Sequence, residues 1–345
     1  MRLLSKISLV FVYLIILAGA TVRMTGSGMG CPDWPKCFGY YIPPTNEKDL
    51  IFKSNHEYKK GIMILVDNKK FMVAKQNFKS KRNYSPNDWQ LFTNHDYVVY
   101  NPVHTWIEYI NRLVTIIAGI PIILMFIFSF KYQKKKPSVL LFATLTLIGM
   151  LFQAWLGKTV VDSNLAPYKI TIHMLMALLI VFFILAIVEK TQNTIKVQIY
   201  NSTFHKILIF SIILSILQIT LGTQVRQFVD EQIKLIGNER ELWLSAPRIN
   251  FYIHRSLSIL VFIVNVYLWY INRKLKLKYA KVNFVILCIF IEILTGIMMY
   301  YFEFPILTQP LHLLLASILF GVQIYLLMES RSQKIKMNKT VYNDL

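Results

Sequence analysis

Tyr252-Ile253-His254-Arg255 opens a long apolar run, and Tyr109-Ile110-Asn111-Arg112 repeats it 143 positions earlier with Asn in place of His. Two further echoes keep the same order. Gly157 precedes His173 by sixteen residues, with Ala177 four beyond, and Gly296, His312 and Ala316 reproduce that spacing at an offset of 139. Gly19-Ala20-Thr21-Val22-Arg23 returns as Gly222-Thr223-Gln224-Val225-Arg226 at an offset of 203. Three matches in one order read as one unit used twice.

That unit is built for lipid. The chain has 345 residues, 55% of them apolar, and a mean hydropathy of +0.45. Its apolar runs reach the roughly 18 to 20 residues that cross a hydrocarbon core about 30 Å thick. The pattern predicts helices near 5–22, 106–130, 138–157, 169–189, 205–225, 250–271, 282–301 and 308–328. Backbone groups in lipid must be paired within their own segment, so the expectation is an all-α integral membrane protein. Its eight transmembrane helices would form two repeated four-helix bundles, with residues 1–190 as the N-terminal half and 191–345 as the C-terminal half. The N-terminal half carries a long external loop, 23–103. Ala18-Gly19-Ala20 resembles a signal-cleavage site, but Gly19 and Arg23 belong to the repeat, which favours a retained first helix.

Charge sets the expected orientation. Arg2 and Lys6, Lys131 with Lys134 to Lys136, Lys190, and Arg273 with Lys274, Lys276 and Lys278 fall on alternate connections. Arg226 and Arg248 on the opposite side are balanced by Asp230, Glu231, Glu239 and Glu241. Basic loops stay in the cytoplasm, so both termini are expected there, in a multi-pass protein of a bacterial cytoplasmic (inner) membrane. The net charge of +20 is then a topological signal, and no nucleic-acid partner is expected.

The loop opens on Thr25-Gly26-Ser27-Gly28-Met29-Gly30-Cys31-Pro32-Asp33-Trp34-Pro35-Lys36-Cys37. Two close cysteines on the oxidising side of a membrane suggest a disulfide between Cys31 and Cys37, as a staple or as a redox-active pair. Cys288, mid-helix, reads as packing. Residues 46–100 form either a small subdomain or a lid. The second helix places His104, Glu108 and Arg112 at i, i+4 and i+8, on one face. An interfacial ion pair and a functional carboxylate both suit that spacing.

Asn111, His173, His254 and His312 all fall early in even-numbered helices, hence at similar depth. Imidazoles from facing helices hold a haem iron axially. The C-terminal half offers two, His254 and His312, and would saturate an iron; the N-terminal half offers His173 and an amide, leaving its iron open for chemistry. Arg255 adjoins His254 and has the planar donor fork that suits a haem propionate.

At these residues the chain resembles the haem A synthase family. The likeness rests on Gly26-Ser-Gly-Met-Gly-Cys31-Pro-Asp-Trp-Pro35, Glu108-Tyr-Ile-Asn111-Arg112, Leu156-Gly157 with His173, His254-Arg255 and His312. The resemblance implies an eight-helix membrane oxidoreductase of cytochrome oxidase assembly. It would convert a methyl group of haem O to the formyl of haem A, with haem b as resident cofactor on His254 and His312. Glu108 is the implied catalytic residue, and His173, Asn111 and Arg112 the implied binders of the substrate haem. Many members carry His where this chain has Asn111, and the insert at 46–100 exceeds the expected loop. Haem O is the implied substrate and membrane lipid the surroundings, with haem O synthase and a second copy of the chain as candidate partners. A b-type di-haem electron-transfer protein and a repeat-built transporter are the alternatives.

Overall fold

The computed structural model describes residues 1–66, 70–93, 99–162, 167–192, 197–237 and 239–343. Its long helices are α1 (Arg2–Met24), α2 (Pro102–Ser129), α3 (Pro137–Asp162), α4 (Pro167–Lys190), α5 (Ser202–Ile236), α6 (Ile249–Lys274), α7 (Lys281–Tyr301) and α8 (Thr308–Asn343). Each of these eight contains a stretch long and apolar enough to cross a membrane, so the protein is multi-pass. Two compact units make up the chain, Met1–Ala20 with Ile117–Leu345, and Thr21–Ile116.

The first unit is helical. Antiparallel pairs α3–α4, α5–α6 and α7–α8 pack closely, and α4 also meets α5 and α8. Val181, Ile184 and Ile187 of α4 are fully buried in its core. Close approach is visible at Gly321 of α8, whose missing Cβ makes way for the Tyr13 hydroxyl and lies 3.3 Å from Val181. In mid-span, Gln323 Nε2 donates to Ser211 Oγ at 3.0 Å and to Asn265 Oδ1 at 3.2 Å, which ties α8 to α5 and α6. Cys288 is buried in the apolar core, as its mid-helix position suggested.

Two boundaries differ markedly from expectation, the end of α8, which runs past 328 to Asn343, and the end of α5. The charges after Gly222 read as loop, yet α5 continues to Ile236. Those charges pair along the helix instead: Arg226 with Asp230 at 2.7 Å, and Gln227 Nε2 with Glu231 Oε1 at 3.2 Å, both at i, i+4. Gly237, at φ 68°, ends the helix. Trp243 then packs on Phe304 and donates to the Gly237 carbonyl at 3.0 Å, which fixes the α5–α6 connection.

The second unit holds the departure from an all-α chain. The insert is a small folded β subdomain rather than a bare lid. Strands β1 (Glu57–Tyr58) and β4 (Phe78–Lys79) pair, and β2 (Met63–Val66), β3 (Lys70–Ala74) and β5 (Trp89–Leu91) form a second antiparallel sheet in the order β2-β3-β5. Tyr58, Ile64, Ala74 and Trp89 make one core, and Phe38, Leu50, Met63 and Phe71 another. Such a subdomain needs the aromatic contacts it has, Tyr58 to Trp89 at 4.9 Å and Phe38 to Phe71 at 5.1 Å, because each sheet is too short to stand alone.

Candidate functional site

In the helical unit, the three histidines are set by a recurring device. Gln153 Nε2 of α3 donates to the carbonyl of His173 at 2.9 Å, and Gln218 Nε2 of α5 does the same to His254 at 3.0 Å. Four residues beyond each glutamine stands a glycine facing the imidazole. A Cβ on Gly157 would lie 3.8 Å from His173 Cε1, and one on Gly222 only 3.2 Å from His254 Cε1. The third copy changes the polar partner: Glu292 Oε2 of α7 bonds His312 Nδ1 itself at 2.9 Å, and Gly296 faces His312 Cε1 at 3.9 Å. Thr295 Oγ1 adds a contact to His312 Nδ1 at 2.8 Å. A carboxylate only accepts, so Nδ1 carries the proton and Nε2 is left for a metal.

The Gln/Glu-x-x-x-Gly pattern was present in the sequence at 153–157, 218–222 and 292–296, but only the helix pairing reveals what it holds. A larger side chain at Gly222 has no free volume. Gly222→Leu is expected to displace the His254 ring and weaken its ligation, whereas Gly296→Ala, with its looser fit, should leave the absorption spectrum of the purified protein unchanged.

His254 and His312 face each other with ring centroids 6.4 Å apart and planes at 68°. Two imidazoles on opposite sides of one metal, each nitrogen about 2 Å from it, put their centroids roughly 6.3 Å apart. The observed separation of the pair matches that value. Among the described residues no group of three or more His, Cys, Asp or Glu gathers around a common point. His173 is half-buried, and its buried Nδ1 lacks a hydrogen-bond partner, which leaves that nitrogen for something other than protein. Arg255 is exposed and lies over the rings of Phe251 and Tyr252, at 5.9 and 5.6 Å.

In the second unit, Glu108 and Arg112 organise the cysteine loop. Cys31 and Cys37 are joined by a disulfide. The buried Glu108 accepts the Cys31 N–H through Oε2 at 2.9 Å and pairs with Arg112 through Oε1. Arg112 donates to the carbonyls of Lys36 at 3.1 Å and Cys31 at 3.2 Å. Its fork thus reaches both ends of the disulfide loop, which is the partner the sequence could not show for it. Thr105 Oγ1 donates to the Gly30 carbonyl at 2.9 Å. Gly30 is obligatory here, since a Cβ would meet the His104 carbonyl oxygen at 2.5 Å. Gly30→Ala is expected to cost about 1–3 kcal/mol, read as a lowered thermal midpoint in detergent, because backbone cannot yield as a side chain does.

Asp33, whose role sequence reading passed over, closes the loop. Its two carboxylate oxygens accept the N–H groups of Phe38 and Gly39 at 2.5 Å each. Burial pushes its carboxyl up to about 6, against the pull of those donors. Asn111 is partly buried, its Oδ1 without a hydrogen-bond partner. It lies in the third turn of α2, because that helix starts earlier than expected.

Fold and site together define a polytopic membrane protein with half-buried imidazoles presented from the first two turns of α4, α6 and α8. The chain belongs to the COX15-CtaA family, described as cytochrome oxidase assembly protein, whose profile matches residues 2–79 and 60–324. It is 26% identical to a Heme A synthase of Ehrlichia canis over 92% of this chain and 89% of that protein. A Heme A synthase of the Wolbachia of Brugia malayi is 24% identical over 94% of this chain and 95% of its own length. One of Rickettsia africae is 26% identical over 92% and 94%.

Proposed function

We propose that this protein is a haem A synthase that oxidises the methyl group of haem O to a formyl group, giving haem A for a terminal oxidase. The single observation that carries the reading is the His254–His312 pair at 6.4 Å, in a chain whose relatives bear that name over nearly their whole length. His254 and His312 would hold haem b, which supplies one-electron transfer when bound. Two imidazoles at that site would suit electron relay and leave the chemistry to the other half.

The N-terminal half would take haem O, with His173 as its one strong ligand and Asn111 as a further candidate binder. Glu108 is the candidate catalytic carboxylate, to orient the substrate or to relay protons. Arg112 neutralises it and fastens the Cys31–Cys37 loop. Arg255 is the candidate propionate partner at haem b. The carbon changes in two steps, methyl to hydroxymethyl and then to a gem-diol that loses water. The basic connections put both termini in the cytoplasm and the histidine ends in the outer half of a bacterial cytoplasmic membrane.

Haem extraction from the purified protein tests this. Haem b together with haem O, haem A or a hydroxylated intermediate is the expected content. Haem b alone, at about two per chain, would instead favour a di-haem electron-transfer protein, because electron-transfer sites keep both axial positions filled.

A further inference from the structure

A cavity of about 640 Å³ lies where the first turns of α4 and α6 meet the end of α5, away from the paired histidines but within a turn of two of them. Its walls are rings, Tyr168 of α4, Phe228 of α5 and Phe251 of α6. Phe251 is three residues from His254, and Thr171, also in the lining, is two from His173. Tyr168 and Ile172 on its rim are exposed on a membrane-spanning helix, so the cavity opens toward lipid.

Apart from Arg248, the polar side chains lining it are neutral. Asn250 Nδ2 donates to Gln224 Oε1 at 2.9 Å, which leaves the Gln224 amide N–H groups and the Asn250 carbonyl oxygen for a guest. The lining's cation, Arg248, is paired with Glu231 at 2.8 Å and lies over Phe228 at 5.4 Å. A site for an anionic headgroup would keep its cation unpaired; this one has compensated it. Aromatic walls, neutral donors and acceptors and a lipid-facing mouth suit a flat, uncharged ring with oxygen atoms.

We propose that this cavity binds the head of a membrane quinone, the electron partner of the reaction. The inference rests on the proposed haem O oxidation, which needs such a partner. Turning a methyl into a formyl removes four electrons. With oxygen taken from water, R–CH3 + H2O + 2 Q gives R–CHO + 2 QH2: each quinone accepts two electrons and two protons, and every atom is accounted for. Along the chain the lining comes within two residues of His173, at Thr171, and three of His254, at Phe251.

The test is photolabelling of the intact purified protein with an azido-ubiquinone analogue, followed by peptide mapping. Labelling is expected on the segments around Tyr168, Phe228 and Phe251, and excess decylubiquinone should remove it. Gln224→Leu should weaken it roughly ten-fold, as loss of a hydrogen-bonding partner does, with haem content unchanged. Labelling that decylubiquinone does not displace, or that phosphatidylglycerol alone displaces, would overturn the assignment. Labelling reads the cavity whether or not haem A is made, so its failure is distinct from failure of the haem A synthase reading. In anaerobic membranes, two quinols should form per formyl; haem A formation without quinol would refute the electron role.

Discussion

Replacing His312, one of the two ligands proposed for haem b, by Ala is expected to remove the low-spin absorption of the purified protein, and His254→Ala is expected to do the same. The reasoning starts from the 6.4 Å between the two rings, which leaves room for one metal and no spare ligand between them. With one imidazole gone, a haem held there would have one protein ligand left, the condition for a high-spin iron. The two variants should still differ. Removing His312 leaves Glu292 and Thr295 without the Nδ1 they hold, whereas removing His254 leaves a gap against Gly222. A buried carboxylate deprived of its partner is costly, so His312→Ala should also be the less stable protein in a thermal melt. Glu292→Ala separates ligand from support: the low-spin spectrum persists while haem affinity falls roughly 10–100-fold, the range typical of partners behind a ligating histidine. A low-spin spectrum retained in His312→Ala would remove that residue from the ligand set.

The division between what the residues announced and what only the fold supplied follows from range. Eight spans were legible because each is an apolar run whose length answers to the bilayer alone, and the histidines because a repeat multiplies one weak signal. The extension of α5 to Ile236 was not, since Arg226, Asp230 and Glu231 look like loop until their i, i+4 pairing is seen. The strands of the insert are two to five residues long, too short to impose a period on the sequence. The partners of the histidines escaped for a different reason: Gln153, Gln218 and Glu292 act across helix pairs, on two backbone carbonyls and one ring nitrogen. Arg112 is the clearest case. Its acceptors are the main-chain oxygens of Cys31 and Lys36, and no side-chain pattern encodes a carbonyl.

That same arrangement makes Glu108 the position where a structural and a catalytic role must be pulled apart. Glu108→Ala should abolish haem A formation while leaving the haem b spectrum intact, but loss of the carboxylate also strands Arg112 and frees the Cys31 N–H. Breaking a buried ion pair by removing one member costs about 3–5 kcal/mol, enough to loosen the whole disulfide loop. Glu108→Gln resolves the ambiguity. Its amide oxygen can still accept the N–H of Cys31, and Arg112 keeps the carbonyls of Cys31 and Lys36, so the loop should stay folded and resist proteolysis as the parent does. What the amide cannot do is take up a proton. A carboxylate that relays protons is typically worth ~10²–10⁴-fold in rate, and Glu108→Gln should lose haem A formation on that scale with substrate haem still bound. Arg112→Ala is the converse, expected to fail chiefly through the loop, with faster proteolysis near Cys31–Cys37. If Glu108→Gln makes haem A at the parent rate, the carboxylate is an anchor for the loop and the proton path lies elsewhere.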